Sequence, residues 1–512
     1  MGRTSARNRR DDGNRPGNTD RHDGTDCPGG SNRHDDNRLD DADRFDPTDR
    51  LGSSRRLSVV DEIFLRTHRG LGTPIALQGL WRTADRIDPQ LLQEVHTALC
   101  TGPLGRRVIR PRVPGARRSW RPNTRAHPLD STTEPISTET LLDWADSRGA
   151  DLDPEFGPGW RLSAVALDDG GTLVSLTCSH AIADGRALVL AVDEALRSRA
   201  ARHPPASDGG SGTSSTAPQS PRAGATGAVD YTPSGSDPID SANLANRSTN
   251  SIASKSDWAD ALRQWSIVLR GTARAFRNGI PVRPRTAPAD RTRAGSSIAP
   301  THSAIMQCAV SDWDQAAAAQ GGTANSLFIW LVANILWATG FPHATIDASL
   351  PVDTRDEPRV DNDLAMTEIT IDRADTLATI REKSRIAYER RMSSPGGMPE
   401  ELLQVIPDRW AYALSKGAGE RDILCSNIGT LPASLRTLGP HHCTGVAARA
   451  IHPGLTANLL PSTRLSGYLC RIADDYVLSL VGLDSTRIES TSALRDLVRT
   501  TAADRHLPLT MW

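Results

Sequence analysis

Residues 174–190 read VSLTCSHAIADGRALVL: an apolar run stops at a histidine and restarts after Asp-Gly as a second apolar run. Side chains alternate across a strand, so Val174, Leu176, Cys178 and His180 share one face, and Leu173, Ser175, Thr177 and Ser179 the other. The second run opens at Gly185-Arg186-Ala187 and reads as a helix to about residue 200. Here and further along the chain strands and helices mix, which points to an α/β fold. His180 carries the apolar face to the end of the strand, where a cleft would open. A partly desolvated imidazole there stays close to neutral at pH 7 and is able to take a proton from a hydroxyl or an amine. A plainer reading fits the same residues: His180 as a hydrogen-bonded histidine at a core edge, and Asp184 as the N-cap of the helix.

The chain has 512 residues, more than one ordinary core holds, so two lobes are expected. Two segments cannot contribute to either. Residues 1–55 are Arg, Asp, Asn and Gly with almost no apolar side chains, a polyampholyte expected to be disordered. Residues 201–255 are rich in Ser, Gly, Pro and Ala and read as a flexible low-complexity insertion. Between and after them lie an N-terminal lobe over 56–200 and a C-terminal lobe over 256–512. In the first lobe ALQGLW (76–81) reads as a strand and PQLLQEVHTALC (89–100) as a helix. The stretch 105–123 alternates Arg with apolar residues and reads as an arginine-fringed edge strand, or as a basic edge for an acidic partner. In the second lobe helices are expected over 323–338 and 374–392, strands over 344–352 and 364–371, and two strands around a turn at Asp474-Asp475.

Several function classes are disfavoured. The net charge of −1 gives no global attraction to nucleic acid or membrane, and the aspartates interleaved with the arginines of the tail cancel much of its pull on phosphates. The longest apolar run, SLFIWLVANILWATGF (326–341), is shorter than the ~20 residues of a bilayer span and reads as a buried helix. Seven scattered cysteines without a CxxC pair suit reduced thiols. With no apolar h-region at the N-terminus, a cytoplasmic protein without a transmembrane segment is expected. Lysine occurs only at Lys255, Lys383 and Lys416, a composition associated with high-GC bacterial genomes. His441-His442-Cys443 with Cys470 lacks paired ligand spacing, so these read as loop residues and no metal is expected. There is no GxSxG elbow, P-loop or dinucleotide fingerprint.

Strand, HxxxDG and helix in that order resemble the CoA-dependent acyltransferase superfamily: chloramphenicol acetyltransferase, condensation domains of nonribosomal peptide synthetases, and polyketide-associated acyltransferases. Four segments carry the resemblance in order: LSVVD (57–61), SHAIADG (179–185), LPVDTR (350–355) with DNDLAM (361–366), and CSNIGTLP (425–432). It covers about 57–200 and 256–505, and SHAIADG is its specific motif. The resemblance implies two chloramphenicol-acetyltransferase-like lobes in a V, with a tunnel between them that donor and acceptor enter from opposite faces. It implies His180 as the catalytic histidine and Asp184 as the partner of Arg355, fixing the histidine loop rather than moving protons. Gly185 would allow close backbone approach and offer its N–H to a developing oxyanion. Ser426 and Asn427 would line the tunnel or help hold that charge, or simply end a strand. Condensation domains usually carry two adjacent histidines; Ser179 takes the first place here, as in single-histidine stand-alone enzymes.

The function implied is a stand-alone condensation-type acyltransferase of bacterial secondary or lipid metabolism. It would move an acyl group from a CoA or carrier-protein phosphopantetheine thioester to a small-molecule hydroxyl or amine. That thioester is a substrate, and no permanently bound cofactor is expected. The alternative is a condensation-like docking protein in a synthase assembly that no longer catalyses.

Overall fold

A computed structural model describes residues 56–71, 75–202, 256–273, 298–389, 402–406 and 420–512. The tail at 1–55, and the insertion apart from residues 201–202, lie outside the described residues. In chain order the strands are β1 (Ala76–Thr83), β2 (Arg106–Ile109), β3 (Ser119–Pro122), β4 (Asp130–Ile136), β5 (Trp160–Leu167), β6 (Thr172–Ser179), β7 (His302–Ala309), β8 (Thr345–Asp353), β9 (Leu364–Asp372), β10 (Ile423–Thr430), β11 (Thr437–Leu438), β12 (His441–Ile451), β13 (Leu465–Ile472), β14 (Asp475–Gly482) and β15 (Thr510–Met511). The helices that matter below are α1 (Val59–Leu71), α2 (Pro89–Thr101), α3 (Leu141–Asp146), α4 (Gly185–Arg202), α5 (256–273), α6 (Val310–Ala318), α7 (Ala324–Ala338), α8 (Leu377–Glu389), α9 (Leu402–Val405) and α10 (Thr491–Ala503).

Two sheets organise the chain. The first has six strands in the order β11-β12-β1-β6-β5-β4, the second seven in the order β15-β7-β14-β13-β10-β8-β9. There are two apolar cores: one joins the first sheet to Ile305, Cys470 and Val477 on one face of the second, and the other fills the second sheet's opposite face. The ring of His96 on α2 lies 5.3 Å from that of Trp160 on β5, and α2 packs beside α4, so these two helices cover one face of the first sheet. The core of the second lobe is built on α7, which packs on β10 and β13 and beside α6, α8 and α10. The apolar run read as a core helix is this α7. Thr323 and Ser326 cap its start reciprocally, and its residues from Leu327 to Ala333 are all buried. No helix among the described residues is long and apolar enough to cross a membrane.

The second half of the chain does not stay in the second sheet. After β10 it crosses to the first, where β12 pairs antiparallel with β1, and then returns to β13. This crossover strand carries Arg449, which is fully buried. Its guanidinium donates to Gln78 Oε1 at 2.7 and 2.9 Å and forms an ion pair with Asp146, whose other oxygen accepts from Ser303 on β7 at 2.8 Å. A buried guanidinium with that set of partners ties β12, β1, α3 and the second sheet together. Helix α5 also belongs with the first lobe: Asp257 pairs with Arg56, and Asp260 with Arg117.

Three expectations need correction. The 105–123 stretch is not an edge strand of a large sheet; β2 and β3 form a separate hairpin. Four of its seven arginines pair with acidic residues of the same chain, Arg106 with Asp361, Arg110 with Glu155, Arg117 with Asp260 and Arg118 with Glu62. His441-His442-Cys443 are not loop residues but open β12, where His441 Nδ1 lies 2.7 Å from Asp85. The turn between β13 and β14 falls at Ala473-Asp474, because Asp475 already pairs with Ile472.

Candidate active site

His180 is the first residue after β6. Its backbone N–H continues the ladder by donating to the Ile75 carbonyl at 2.8 Å. Phe64, on α1, stacks on the imidazole with ring centroids 3.6 Å apart and planes 14° from parallel. On the opposite lobe, Asn362 reaches it from the loop before β9: Asn362 Oδ1 lies 3.1 Å from His180 Nδ1.

The orientation of that amide decides which ring nitrogen is free. Both hydrogens of Asn362 Nδ2 are committed, one to Asp61 Oδ1 at 2.8 Å and one to the His180 carbonyl at 2.9 Å. Its Oδ1 must therefore accept, so Nδ1 of His180 carries the proton and donates. Nε2 keeps its lone pair, and no hydrogen-bond partner engages it among the described residues. Burial holds the imidazole below its ordinary range, against the opposing effects of its backbone hydrogen bond, Asp184 and Asn362. The result is a neutral histidine with a defined tautomer and an open nitrogen.

Asp61 anchors this arrangement. Ser58 N–H donates to Asp61 Oδ2 at 2.9 Å, and Asp61 N–H to Ser58 Oγ at 3.0 Å, a reciprocal cap that starts α1. Its Oδ1 accepts from both the backbone N–H and the side chain of Asn362, at 3.2 and 2.8 Å. Burial pushes the Asp61 carboxyl up to about 6, with Arg106 pulling it back and Asp361 adding to the rise. The start of the first lobe is thus bonded to the second-lobe loop that holds His180.

Asp184 does two jobs with its two oxygens. Oδ1 accepts from Ala187 N–H at 2.8 Å, which caps α4. Oδ2 accepts from Arg355 at 2.5 Å and from Asp363 N–H at 2.9 Å. Both side chains of the ion pair are almost fully buried. Arg355 also bonds the Asp361 carbonyl and pairs with Asp353 at 2.6 Å, so one guanidinium joins the His180 loop to the loop carrying Asn362. Arg106 fixes the same loop from the other side, donating to the Ile182 carbonyl while stacking 4.1 Å from the Trp120 ring.

Gly185 opens α4, and its N–H is among those with no acceptor inside the helix. A Cβ there would meet Ile428 at 3.8 Å, an ordinary contact, so no protein neighbour demands glycine. Ser426 and Asn427 stand on β10 and do not join the His180 cluster. Asn427 bonds Asn325 at 3.0 Å, and Asn325 in turn bonds Tyr388 at 3.0 Å. Asn427 also accepts from Gly429 N–H at 3.0 Å, across a bulge where Gly429 adopts φ 83°. The structure therefore brings together His180, Asp184, Gly185 and Arg355, while no hydrogen bond among the described residues joins Ser426 or Asn427 to His180. Sequence reading missed Asp61, Phe64 and Asn362 as site residues, although LSVVD and DNDLAM contain two of them. The Ser-x-x-Asp cap at 58–61 was the available signal.

The fold is that of condensation domains, with two lobes built like those of the neighbours described next. The first condensation domain of the CDA synthetase is 15% identical, with a TM-score of 0.51 over 90% of this chain and 99% of that one. The condensation domain of the Monacolin K polyketide synthase MokA is 11% identical, with a TM-score of 0.50 over 89% and 98%. No family model matches the chain, and no curated protein matches it.

Proposed function

We propose that this chain is a stand-alone condensation-type acyltransferase. It moves an acyl group from a thioester, carried on CoA or on the phosphopantetheine arm of a carrier protein, to a small-molecule hydroxyl or amine. The observation that carries the reading is the tautomer of His180: Nδ1–H is held by Asn362, and Nε2 is left as an unprotonated base.

The acceptor O–H or N–H approaches Nε2, which takes the proton as the heteroatom attacks the thioester carbonyl. Nδ1–H keeps its bond to Asn362 as charge develops on the ring, and the chain through Asp61 stabilises the imidazolium. The N–H of Gly185 is available to the carbonyl oxygen at the start of α4. When the tetrahedral carbon collapses, the C–S bond breaks and the imidazolium returns its proton to the thiolate. Thioesters are already activated, so holding the two substrates together contributes as much as the base. Asp184 and Arg355 take no part in proton transfer, because both oxygens of Asp184 are occupied by Ala187, Arg355 and Asp363.

The test is thiol release by the purified full chain from a set of acyl-CoA and acyl-carrier thioesters, compared with His180→Ala. Release that depends on His180 supports transfer. A folded wild-type protein that binds acyl-carrier protein yet releases no thiol supports the docking alternative. A fully active His180→Ala protein removes the base.

A further inference from the structure

The crossover strand brings a second histidine to the site. Register places Ser179 opposite Ala76, and Ala76 opposite Ile451. One residue further on, His180, Ile75 and His452 stand side by side at three strand ends, with the His180–Ile75 hydrogen bond at 2.8 Å continuing the ladder. Paired residues share a face, so both imidazoles rise from the same side of the sheet. Strands lie ~4.8 Å apart, which separates the two Cα atoms by roughly 10 Å. The next residues on that face, Cys178, Leu77 and Ala450, are buried and apolar.

His452 Nδ1 is buried and has no hydrogen-bond partner. Such an atom is seldom left unpaired in a native interior, and a catalytic role is one of the reasons for leaving one so. Ile75 stands between the two strand ends, and His180 is near enough to act on the His452 ring.

We propose that His452 is a second catalytic residue, donating its Nδ1–H to the carbonyl oxygen of the bound thioester; this rests on the acyl-transfer reading above. As the acceptor heteroatom bonds to the carbonyl carbon, the C=O π pair moves to oxygen, and the acceptor proton goes to His180 Nε2. The oxyanion is held by His452 Nδ1–H, which keeps its proton throughout. Collapse restores C=O, expels the sulfur with the C–S electron pair, and the thiolate takes the proton back from His180. Burial, reinforced by nearby His180, pushes the His452 imidazole down to about 4, so it enters the reaction neutral. A neutral histidine is suited to polarising a carbonyl, because it adds no second positive charge beside the imidazolium that His180 becomes.

The experiment measures steady-state thiol release from one turned-over acyl-CoA by the wild-type chain, His452→Phe, His452→Gln and His180→Ala. Removing one oxyanion donor lowers kcat by roughly 10²–10³-fold. The expected result is that loss in His452→Phe with KM for the thioester within about threefold, and partial recovery in His452→Gln, whose amide N–H donates. Thermal unfolding identifies a variant that fails to fold; if His452→Phe does, His452→Gln carries the comparison, and a loss confined to KM contradicts the proposal. Wild-type turnover abolished by His180→Ala but untouched in folded His452→Phe overturns this inference alone. A wild-type chain that turns over no thioester overturns the acyl-transfer reading itself, and with it the role of His452.

Discussion

Replacing Asp184 by alanine separates stability from chemistry. The carboxylate is buried against Arg355, whose side chain is only 4% exposed. Breaking a buried ion pair by removing one partner costs about 3–5 kcal/mol, because the remaining charge is left without compensation. Arg355 keeps Asp353 and the Asp361 carbonyl, which favours the lower end of that range. Asp184 also caps α4 through Ala187 N–H, and losing such a cap costs about 1 kcal/mol. Asp184→Ala should therefore lose about 4 kcal/mol, a large share of the 5–15 kcal/mol typical of a folded domain. The assay is urea unfolding followed by circular dichroism, with Arg355→Met and the double variant completing a cycle. The double variant should be more stable than Asp184→Ala alone, since it no longer buries an unpaired guanidinium. A loss below about 1 kcal/mol in Asp184→Ala, or strict additivity in the cycle, would refute the reasoning. Turnover per folded molecule should fall far less in Asp184→Ala than in His180→Ala.

Asn362→Leu should lower kcat by roughly 10²-fold, the low end of what a general base supplies, because Nδ1–H loses the acceptor that fixes the tautomer; unchanged kcat in the folded variant would remove Asn362 from the mechanism. The acid limb of kcat/KM should lie below the ordinary histidine value of 6.5, since burial depresses His180 and the neutral form is the active one; a limb at or above 6.5 in a pH–rate profile would contradict this. Asp61 behaves oppositely. Its folded value of about 6 exceeds the unfolded 3.8, so its contribution to stability is complete below 3.8 and is lost as pH rises through 6, by about 3 kcal/mol, a dependence that Asp61→Asn should abolish in unfolding measured from pH 3.5 to 7. Asn427→Ala should leave kcat within about threefold and cost about 1 kcal/mol of stability, because its side chain bonds Asn325 and the Gly429 backbone rather than the site.

Much of the fold was legible because it follows local pattern. Alternation in GTLVSLTCSH and continuous burial in SLFIWLVANILWA are properties of short windows, and β6, α4 and α7 fall where those windows put them. The crossover was not legible. HHCTGVAARAI alternates weakly and opens with polar residues, so only pairing with β1 makes it a strand. Sheet membership is a long-range property: nothing near Arg449 announces Gln78 and Asp146 as its partners. The candidate site divides in the same way. His180 and Asp184 sit in one motif, and Arg355 was found through a resemblance between segments. Asn362 was invisible as a positioning residue because its partners, Ser58, Asp61, His180 and Ala181, are all far away in sequence. Asn427, read as lining a tunnel or ending a strand, lies beside a bulge and bonds Asn325 on α7, a partner its own segment does not announce.

The most direct test of acyl transfer is metabolite profiling by mass spectrometry of the native host carrying the wild-type chain or His180→Ala at matched protein level. A product present with the wild type and replaced in the variant by a species lighter by one acyl mass would match the account and identify both donor group and acceptor. An unchanged profile, with His180→Ala folded and abundant, would contradict it.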